Sequence, residues 1–218
     1  MLLDRHRQAM GGNALSQLQS VRVDGVIDYP NDAWRFVADR RRPNELRLAA
    51  YRGDSLISAE GFTGTTAWSS TPGSAVCALS SRQGSSIQRD AEFFSPLLSG
   101  APDGATLELV GSTRVDDAEA YDIHVTRGDG FQSDYLVDAT SYLLLRKREV
   151  RAPRAGEAPI PIETAYYDYR PVAGVLYPFV TVEREQADGK LISVTVLKRV
   201  EPNSVDAAAM APGCAAKS

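Results

Sequence analysis

Residues 44–68, NELRLAAYRGDSLISAEGFTGTTAW, decide the fold. Leu46 and Leu48 alternate with charged residues, as expected for a strand that has one apolar face. The turn formers Gly53-Asp54 and Gly64 then divide the stretch into three short segments. The pattern predicts strands joined by tight turns, which is an antiparallel meander.

The same alternation continues along most of the chain. It predicts twelve strands, near residues 21–29, 33–40, 44–51, 55–62, 65–71, 106–115, 118–127, 132–138, 142–151, 160–169, 175–186 and 190–201. One face of each strand is apolar, so the pattern predicts a long sheet with a dry face and a wet face. Positions expected on the dry face include Trp34, Phe36, Leu46, Leu48, Trp68, Leu143, Leu145, Tyr177 and Phe179.

Helices are few in the expected structure. N-terminal helices are predicted within residues 1–20, and the first of them is followed by the glycine stop Gly11-Gly12. A C-terminal helix and a loose tail are expected within residues 202–218. We therefore expect a single domain over residues 1–218, with the sheet in residues 21–201.

One further helix is predicted between the two halves of the meander. Ser85 and Gln88 have the spacing of a capping box, and Pro96 disfavours helix at the residue before it, so the helix is expected over about residues 85–95. Apolar side chains are concentrated at its end: Phe93, Phe94, Leu97 and Leu98. This helix is therefore the expected lid over the dry face.

The composition excludes several functional classes. The 218 residues contain 24 Lys and Arg against 28 Asp and Glu, a net charge of −4, whereas a nucleic-acid binder needs a basic field. His6 and His124, the two histidines, are too few for a histidine metal cluster, and both are expected at the surface. Hydrolase, nucleotide-binding and metalloprotease signatures are missing from the sequence. We expect no catalytic residue, no metal ligand and no cofactor.

Three features leave alternatives open. Such a long sheet is expected to curl, and its interior is either filled by side chains or keeps a hydrophobic ligand cavity. The basic runs at residues 40–42 and 146–148 are either solvated strand ends or a rim for an anionic head group. Cys77 and Cys214 either form a disulfide or stay apart, since sequence does not give their geometry.

Several motifs resemble one known family. Arg42-Pro43-Asn44, followed by the segment from Gly61 to Trp68, is similar to a strand-loop-strand segment of the outer-membrane lipoprotein carrier (LolA-like) superfamily, with Thr63 in place of the usual Asp. Segments that resemble its lipoprotein-sorting branch follow in the family's order along nearly the whole chain: Ala9–Gly12, Glu108–Gly111, Tyr135–Asp138 and Asp168–Pro178.

The resemblance implies a mainly β (α+β) fold, a strongly curved antiparallel sheet that forms an unclosed β-barrel, with a few short helices over its concave apolar face. It implies a non-enzymatic periplasmic carrier or sensor that binds a lipid or lipoprotein acyl chain in a hydrophobic cavity. A membrane protein of the envelope is the expected donor or acceptor. The sequence given is expected to lack the signal peptide that such a protein carries.

The implied ligand site consists of cavity and lid residues, and Arg42 matches the arginine that opens and closes the family's lid. The expected site residues are Trp34, Phe36, Arg42, Leu46, Leu48, Trp68, Phe93, Phe94, Leu97, Leu98, Tyr177 and Phe179. Because Arg40 and Arg41 precede Arg42, the match can shift along this run. The alternative function is a protein-protein interaction module of the envelope whose cavity is filled or vestigial.

Overall fold

The structure is a computed structural model in which residues 1–73, 78–100, 104–154 and 157–211 are described. Cys77 and Cys214 lie outside the described residues, and so does any disulfide between them. The described residues form two compact units. We call them the α1 unit, Met1–Leu15 with Phe94–Thr195, and the α3 unit, Ser16–Phe93 with Val196–Ser218. Our expectation of a single domain over residues 1–218 stays a prediction.

The described part of the chain contains twelve strands, close to the predicted bounds. They are β1 Ser20–Tyr29, β2 Asp32–Arg41, β3 Glu45–Arg52, β4 Ser55–Thr63, β5 Ala67–Ser70, β6 Thr106–Val115, β7 Ala118–Thr126, β8 Gln132–Asp138, β9 Leu144–Arg151, β10 Ile160–Val172, β11 Val175–Glu185 and β12 Leu191–Pro202. The strand order is β5-β4-β3-β2-β1-β12-β11-β10-β9-β8-β7-β6, so β5 and β6 are edges and the ladder does not close.

The helices that the structure describes are short. They are α1 Leu2–Met10, α2 Ala14–Gln17, α3 Ser81–Asp90, α4 Pro96–Ser99 and a 3-10 turn at Ala208–Met210. The predicted class, a mainly antiparallel β fold with an unclosed sheet and few helices, is confirmed. Among the described residues, none of these helices has the length and apolarity to cross a membrane.

The predicted bounds of the lid helix are wrong. The capping box is Ser80 with Gln83, five residues before the expected Ser85 with Gln88, so α3 begins at Ser81 and ends at Asp90. Pro96 does not end this helix but begins α4, because its fixed φ suits a first helical turn. Leu97 and Leu98 therefore lie on a separate helix.

The C-terminal prediction is also corrected. In residues 202–211, the described part of the expected helical segment, the helical structure is limited to the 3-10 turn, which contacts β2 and β3. Met210 is buried at 3% exposure, and Val205 is held by a hydrogen bond from its N–H to Ser20 Oγ at 3.1 Å. Burial of single side chains, rather than helix periodicity, fixes this segment.

His6 is buried, which contradicts the expected surface position. It is 2% exposed, and its Nδ1 lies 2.7 Å from the backbone oxygen of Tyr142. Burial lowers the pKa of His6 from its usual value, and the Arg7 charge lowers it further. The ring is held neutral and donates from Nδ1 to the carbonyl.

The stop after α1 depends on a close backbone approach. Gly11 has φ +140, and a Cβ there would lie 2.7 Å from the Gly174 oxygen and 3.1 Å from the Val175 Cα. Both atoms belong to the backbone, so neither can move aside cheaply. Gly11 is thus required on two counts, its backbone conformation and its contact with the start of β11.

We expect Gly11→Ala to lower the free energy of unfolding more than Gly130→Ala does. Gly130 also has positive φ, but its Cβ would have open space. Gly130→Ala should cost about 1–2 kcal/mol from conformation alone. Gly11→Ala adds overpacking of about 1–3 kcal/mol. Urea denaturation measures both, and equal losses would contradict the contact with β11.

We expect His6 to make stability fall with acidification. Because burial depresses its pKa below the usual 6.5, the unfolded chain takes up the proton first as pH falls. The stability is therefore present above about pH 6.5 and decreases below it. Unfolding measured from pH 7.5 to 5.5 should show a steeper loss for the wild type than for His6→Asn. Parallel profiles would exclude this role, since all other titrating groups are common to both proteins.

Candidate functional site

The α3 unit has a sheet face on which α3 packs, and we call it the helix-side face. Directly opposed residues of antiparallel strands share a face, so the register defines it row by row. The first row runs across all five strands: Val21, Arg40, Leu46, Phe62 and Ala67. Ile87, Ala91 and Leu79, from α3 and its flanks, pack on Leu46, Phe62 and Ala67. The helix thus covers this row with three apolar side chains.

The next rows of the helix-side face are also rich in apolar residues. The second row is Val23, Ala38, Leu48, Glu60 and Ser69. Beyond it lie Phe36 with Ala50, and then Ile27 with Trp34. Val23, Ile27, Trp34, Leu48 and Ala50 are all half-buried. An apolar surface with partial access to solvent therefore extends away from α3.

The two aromatic residues of β2 differ in how they are held. Phe36 is 7% exposed, and its ring lies so close to Gly25 that a Cβ there would be 2.6 Å from a ring carbon. Trp34 is half-buried, its Nε1 donates to Asp32 Oδ2 at 2.6 Å, and its ring meets Tyr29 edge-on at 5.0 Å. Phe36 is a fixed part of the wall, whereas Trp34 keeps part of its surface accessible to solvent.

Trp68 lies on the opposite face, which corrects the expected pattern. It is opposed to Gly61 and packs with Ala49 and Ala59, at 1% exposure. Its neighbour Ala67 occupies the helix-side position instead. The sequence placed the larger side chain on the dry face, but both faces of β3–β5 are buried here, so size did not identify the face.

The three consecutive arginines at residues 40–42 each make a different contact. Arg40 lies on the helix-side face and its Nη1 donates to the carbonyls of Asp90, the last residue of α3, and of Glu92, the latter at 3.3 Å. Burial lowers the pKa of Arg40, and the Asp90 charge opposes this shift. Arg41 points to the other face and pairs with Glu45 at 2.6 Å.

Arg42, the residue matched by the motif, bonds the segment before β1. Its Nε donates to the Leu18 oxygen at 2.6 Å, and its guanidinium lies 5.4 Å from the ring centre of Phe93. Arg42 thus holds the segments before β1 and after α3, and Arg40 is the residue bonded to the helix end. Phe93 is half-buried beside Arg42 rather than at the end of a lid helix.

Glu60 introduces an acid into the second row. It is half-buried, with Phe62 and Ser58 as its neighbours on the same face of β4. Burial raises the pKa of Glu60, and the nearby Asp90 carboxylate raises it further. Among the described residues Glu60 has neither a hydrogen bond nor an ion pair.

The α1 unit has a helix-side face of its own. Ile123, Val125, Tyr135 and Val137 form a buried cluster there with Leu97 of α4, and Leu2 and Leu3 of α1 pack against it. Leu98, at 7% exposure, packs instead with Leu15 and Val175, and Phe94 and Tyr177 border that second cluster. The expected lid residues Leu97 and Leu98 are therefore core residues of this unit.

Tyr177 and Phe179 lie two residues apart on β11. Burial raises the pKa of Tyr177 to about 12, and its hydroxyl is buried with no hydrogen-bond partner among the described residues. Phe179 is 8% exposed, and the Arg170 guanidinium lies 4.6 Å from its ring centre. Phe94 and Tyr177 thus lie in one cluster, but Phe179 is covered by a cation.

Charged residues on this second helix-side face were not predicted. Lys147 Nζ lies 2.5 Å from Glu149, and Arg151 bonds Glu149 at 3.1 Å and also pairs with Glu183. The row that contains Lys147 and Glu183 begins at the apolar Ile123 and continues through Tyr135, Lys147 and Thr164 to Glu183. Ser193 completes the network with a 3.0 Å bond to Glu183.

A register irregularity moves Leu145 away from the helix-side face. Opposite Val137 lies Leu144, and opposite Leu136 lies Arg146, so the pairing skips Leu145. Leu144 packs in the helix-side cluster, whereas Leu145 packs with Val115, Ala120 and Leu136. The expected inward position of Leu145 is wrong, because the irregularity reverses the alternation. The sequence feature that could have revealed this ionic network is the position of Glu149 and Glu183 beside basic residues.

The structure groups the expected site residues within each unit as follows. In the α3 unit Trp34, Phe36, Leu46 and Leu48 share the helix-side face, while Trp68 does not. In the α1 unit, Phe94, Leu98 and Tyr177 share one cluster. No group of three His, Cys, Asp or Glu residues suited to a metal ion occurs among the described residues.

Comparisons with known proteins identify the fold. No family model matches the chain, and no curated protein matches it. A LolA superfamily protein from Nitrosomonas europaea is similar in structure, with a TM-score of 0.65, 14% identity and 96% of each chain covered.

Two further solved structures agree with it. A putative outer membrane lipoprotein-sorting protein domain from Vibrio parahaemolyticus has a TM-score of 0.62 at 11% identity, covering 93% of this chain and 91% of its own. A DUF1329 family protein from Desulfovibrio piger has a TM-score of 0.64 at 12% identity, covering 96% and 95%. At these identities the likeness shows the fold, and the chain has the fold of the LolA superfamily and of outer-membrane lipoprotein-sorting proteins.

Proposed function

We propose that this protein is a non-enzymatic carrier or sensor of the periplasm that shelters an acyl chain or another lipid. The observation that carries the proposal is the helix-side face of the α3 unit. Its apolar rows continue past the row that α3 covers, and Leu48, Trp34 and Val23 stay partly accessible. Partly open apolar surface lined by aromatic and aliphatic side chains suits a lipid chain.

The chain-binding surface is assigned to the α3 unit because the α1 unit is unsuited to it. There the helix-side face carries Lys147, Glu149, Arg151 and Glu183 in a connected ionic network. An acyl chain laid over these groups would remove water from charges without replacing it, which is costly. The α3 unit offers Leu46 and Leu48 on adjacent rows instead.

We propose that the bound ligand takes the place of α3 on the helix-side face. The helix presents few apolar groups to the sheet, chiefly Ile87 and Ala91. Burial of an Ile side chain contributes about 1.5–3 kcal/mol, and each buried CH₂ of a ligand about 0.8 kcal/mol. Roughly four methylenes therefore offset the loss of Ile87, and a longer chain favours the open arrangement.

Arg40 is proposed as the residue that holds the helix closed. Its guanidinium bonds the carbonyls of Asp90 and Glu92, where a helix end leaves acceptors without partners. Arg42 keeps a supporting role through Leu18 and Phe93. The lid function that the sequence motif gave to Arg42 is thus proposed for Arg40.

The envelope setting and partners belong to the same proposal. A solved structure of the same fold is described as an outer membrane lipoprotein-sorting protein domain. By analogy, the ligand proposed here is a lipid or lipoprotein acyl chain, and a membrane protein of the envelope delivers or receives it. The net charge of −4 gives no basic field for a nucleic-acid partner.

A partner-binding module is the second candidate, favoured by the edge strand β6. Leu109 is 57% exposed and Val110 63% exposed on this edge, where backbone groups can pair with another chain. However, β6 is irregular between Leu109 and Gly111, and such a bulge weakens an edge as a docking template. The lipid carrier therefore remains the preferred function.

We expect wild-type protein to bind the neutral fluorescent probe N-phenyl-1-naphthylamine and to release it when a long-chain alcohol is added. Leu48→Gln should weaken probe binding about tenfold, because it removes part of the apolar wall. Val37→Gln is the matched control, since Val37 is also half-buried but lies on the opposite face. Equal effects of the two variants, or no probe binding by the wild type, would contradict the proposed surface.

Arg40→Gln is expected to free the end of α3. Hydrogen exchange of the amides in residues 81–90 should become about tenfold faster, as expected for loss of a charged hydrogen bond. Arg41→Gln removes the same charge from the other face, where it pairs with Glu45, and should leave α3 protection unchanged. Unchanged exchange in Arg40→Gln would show that Arg40 does not hold the helix.

A further inference from the structure

Glu60 is an acid on an otherwise apolar part of the proposed ligand surface. In its row it is opposed by Leu48 on one side and Ser69 on the other, and Phe62 follows it on the same face of β4. It is half-buried, and among the described residues no cation or hydrogen-bond donor satisfies its carboxylate. A carboxylate in such a place has lost part of its hydration without gaining a partner.

The charges around Glu60 do not remove this deficit. Arg40 shares the helix-side face but lies two strands away, about 10 Å across the sheet, and its guanidinium is bonded to the end of α3. Asp90, the last residue of α3, adds a second negative charge nearby and contributes to the raised pKa of Glu60. The local field therefore favours a positive group and disfavours an anion.

We propose that Glu60 selects the head group of the bound lipid, and that the selected class is an amphiphile with a primary ammonium group. This inference rests on the proposed function, because the acyl chain must lie along Leu48 and the neighbouring rows. An ammonium beside Glu60 supplies the missing donors in a charge-assisted hydrogen bond. A fatty-acid carboxylate in the same position would meet like charge from both Glu60 and Asp90.

Alternation alone does not reveal this position of Glu60. Glu60 follows Ala59 and precedes Gly61 in a strand whose polar positions were expected to face water. Its register position, opposite Leu48 and in the row next to Phe62, places it instead on the face that α3 covers in part. A polar group on a ligand wall fixes orientation and specificity rather than affinity alone.

The test uses three competitors with one chain length: decylamine, decanoate and 1-decanol. Each displaces N-phenyl-1-naphthylamine from the full chain at pH 8, below its micelle concentration. For the wild type we expect decylamine to compete about tenfold better than decanoate, with 1-decanol between them. In Glu60→Gln the preference should shrink to about threefold or less; the preference is a ratio of two competitors in one variant, so a change in probe affinity cancels. Asp24→Asn removes the same charge from the opposite face and should keep the full preference.

The outcomes separate the two proposals. If all three competitors displace the probe equally from the wild type, the head-group inference is overturned and the lipid surface stands. The same holds if Glu60→Gln keeps the full preference, or if Asp24→Asn loses it. If neither the probe nor 1-decanol binds the wild type, the proposed function itself fails, and the inference fails with it. The wild-type comparison needs no variant, so a Glu60→Gln protein that did not fold would leave the inference falsifiable.

Discussion

An apolar sheet face must be kept from water, and in the α3 unit the small apolar side of α3 packs on the first row of that face. The packing side of α3 consists of Ile87 and Ala91, with Leu79 before the helix. The rest of the helix sequence is polar, so it cannot extend the cover over Leu48 or Trp34. The proposed ligand surface exists because the helix is too small for the face it covers.

Polar groups then determine how this surface is used. Arg40 bonds the last carbonyls of α3 and so sets how firmly the small cover is held. Glu60, one row away, has no such partner among the described residues. In the α1 unit, by contrast, Lys147, Glu149 and Glu183 belong to a connected network. Satisfied charges stabilise a wall, whereas an unsatisfied one leaves a place for a ligand group.

The strands were predictable because turn formers bound them and alternation marks their faces. Two local effects defeated the alternation. The irregularity opposite Leu136 and Val137 put Leu144 on the helix side and turned Leu145 to the other face. At Trp68 both faces are buried, so hydrophobicity could not choose between Ala67 and Trp68. Register is a property of strand pairs, and a single strand's sequence does not contain it.

Helix positions and polar contacts were less predictable still. Two Ser-x-x-Gln patterns, at Ser80 and Ser85, compete for the start of α3, and spacing alone does not rank them. Buried His6 depends on a carbonyl far along the chain, at Tyr142. The family motif identifies the run of three arginines at residues 40–42. The hydrogen bonds distinguish its members, because Arg40 bonds the Asp90 carbonyl and Arg42 bonds the Leu18 carbonyl.

The most direct test of the exchange between helix and ligand is hydrogen exchange with and without a lipid. The wild-type protein would be labelled alone and with saturating lysophosphatidylethanolamine below its micelle concentration. We expect the amides of residues 81–90 to lose protection when the lipid binds, while those of β2 and β3 keep or gain it. Increased or unchanged protection of α3 in the lipid-bound protein would contradict displacement of the helix by the ligand.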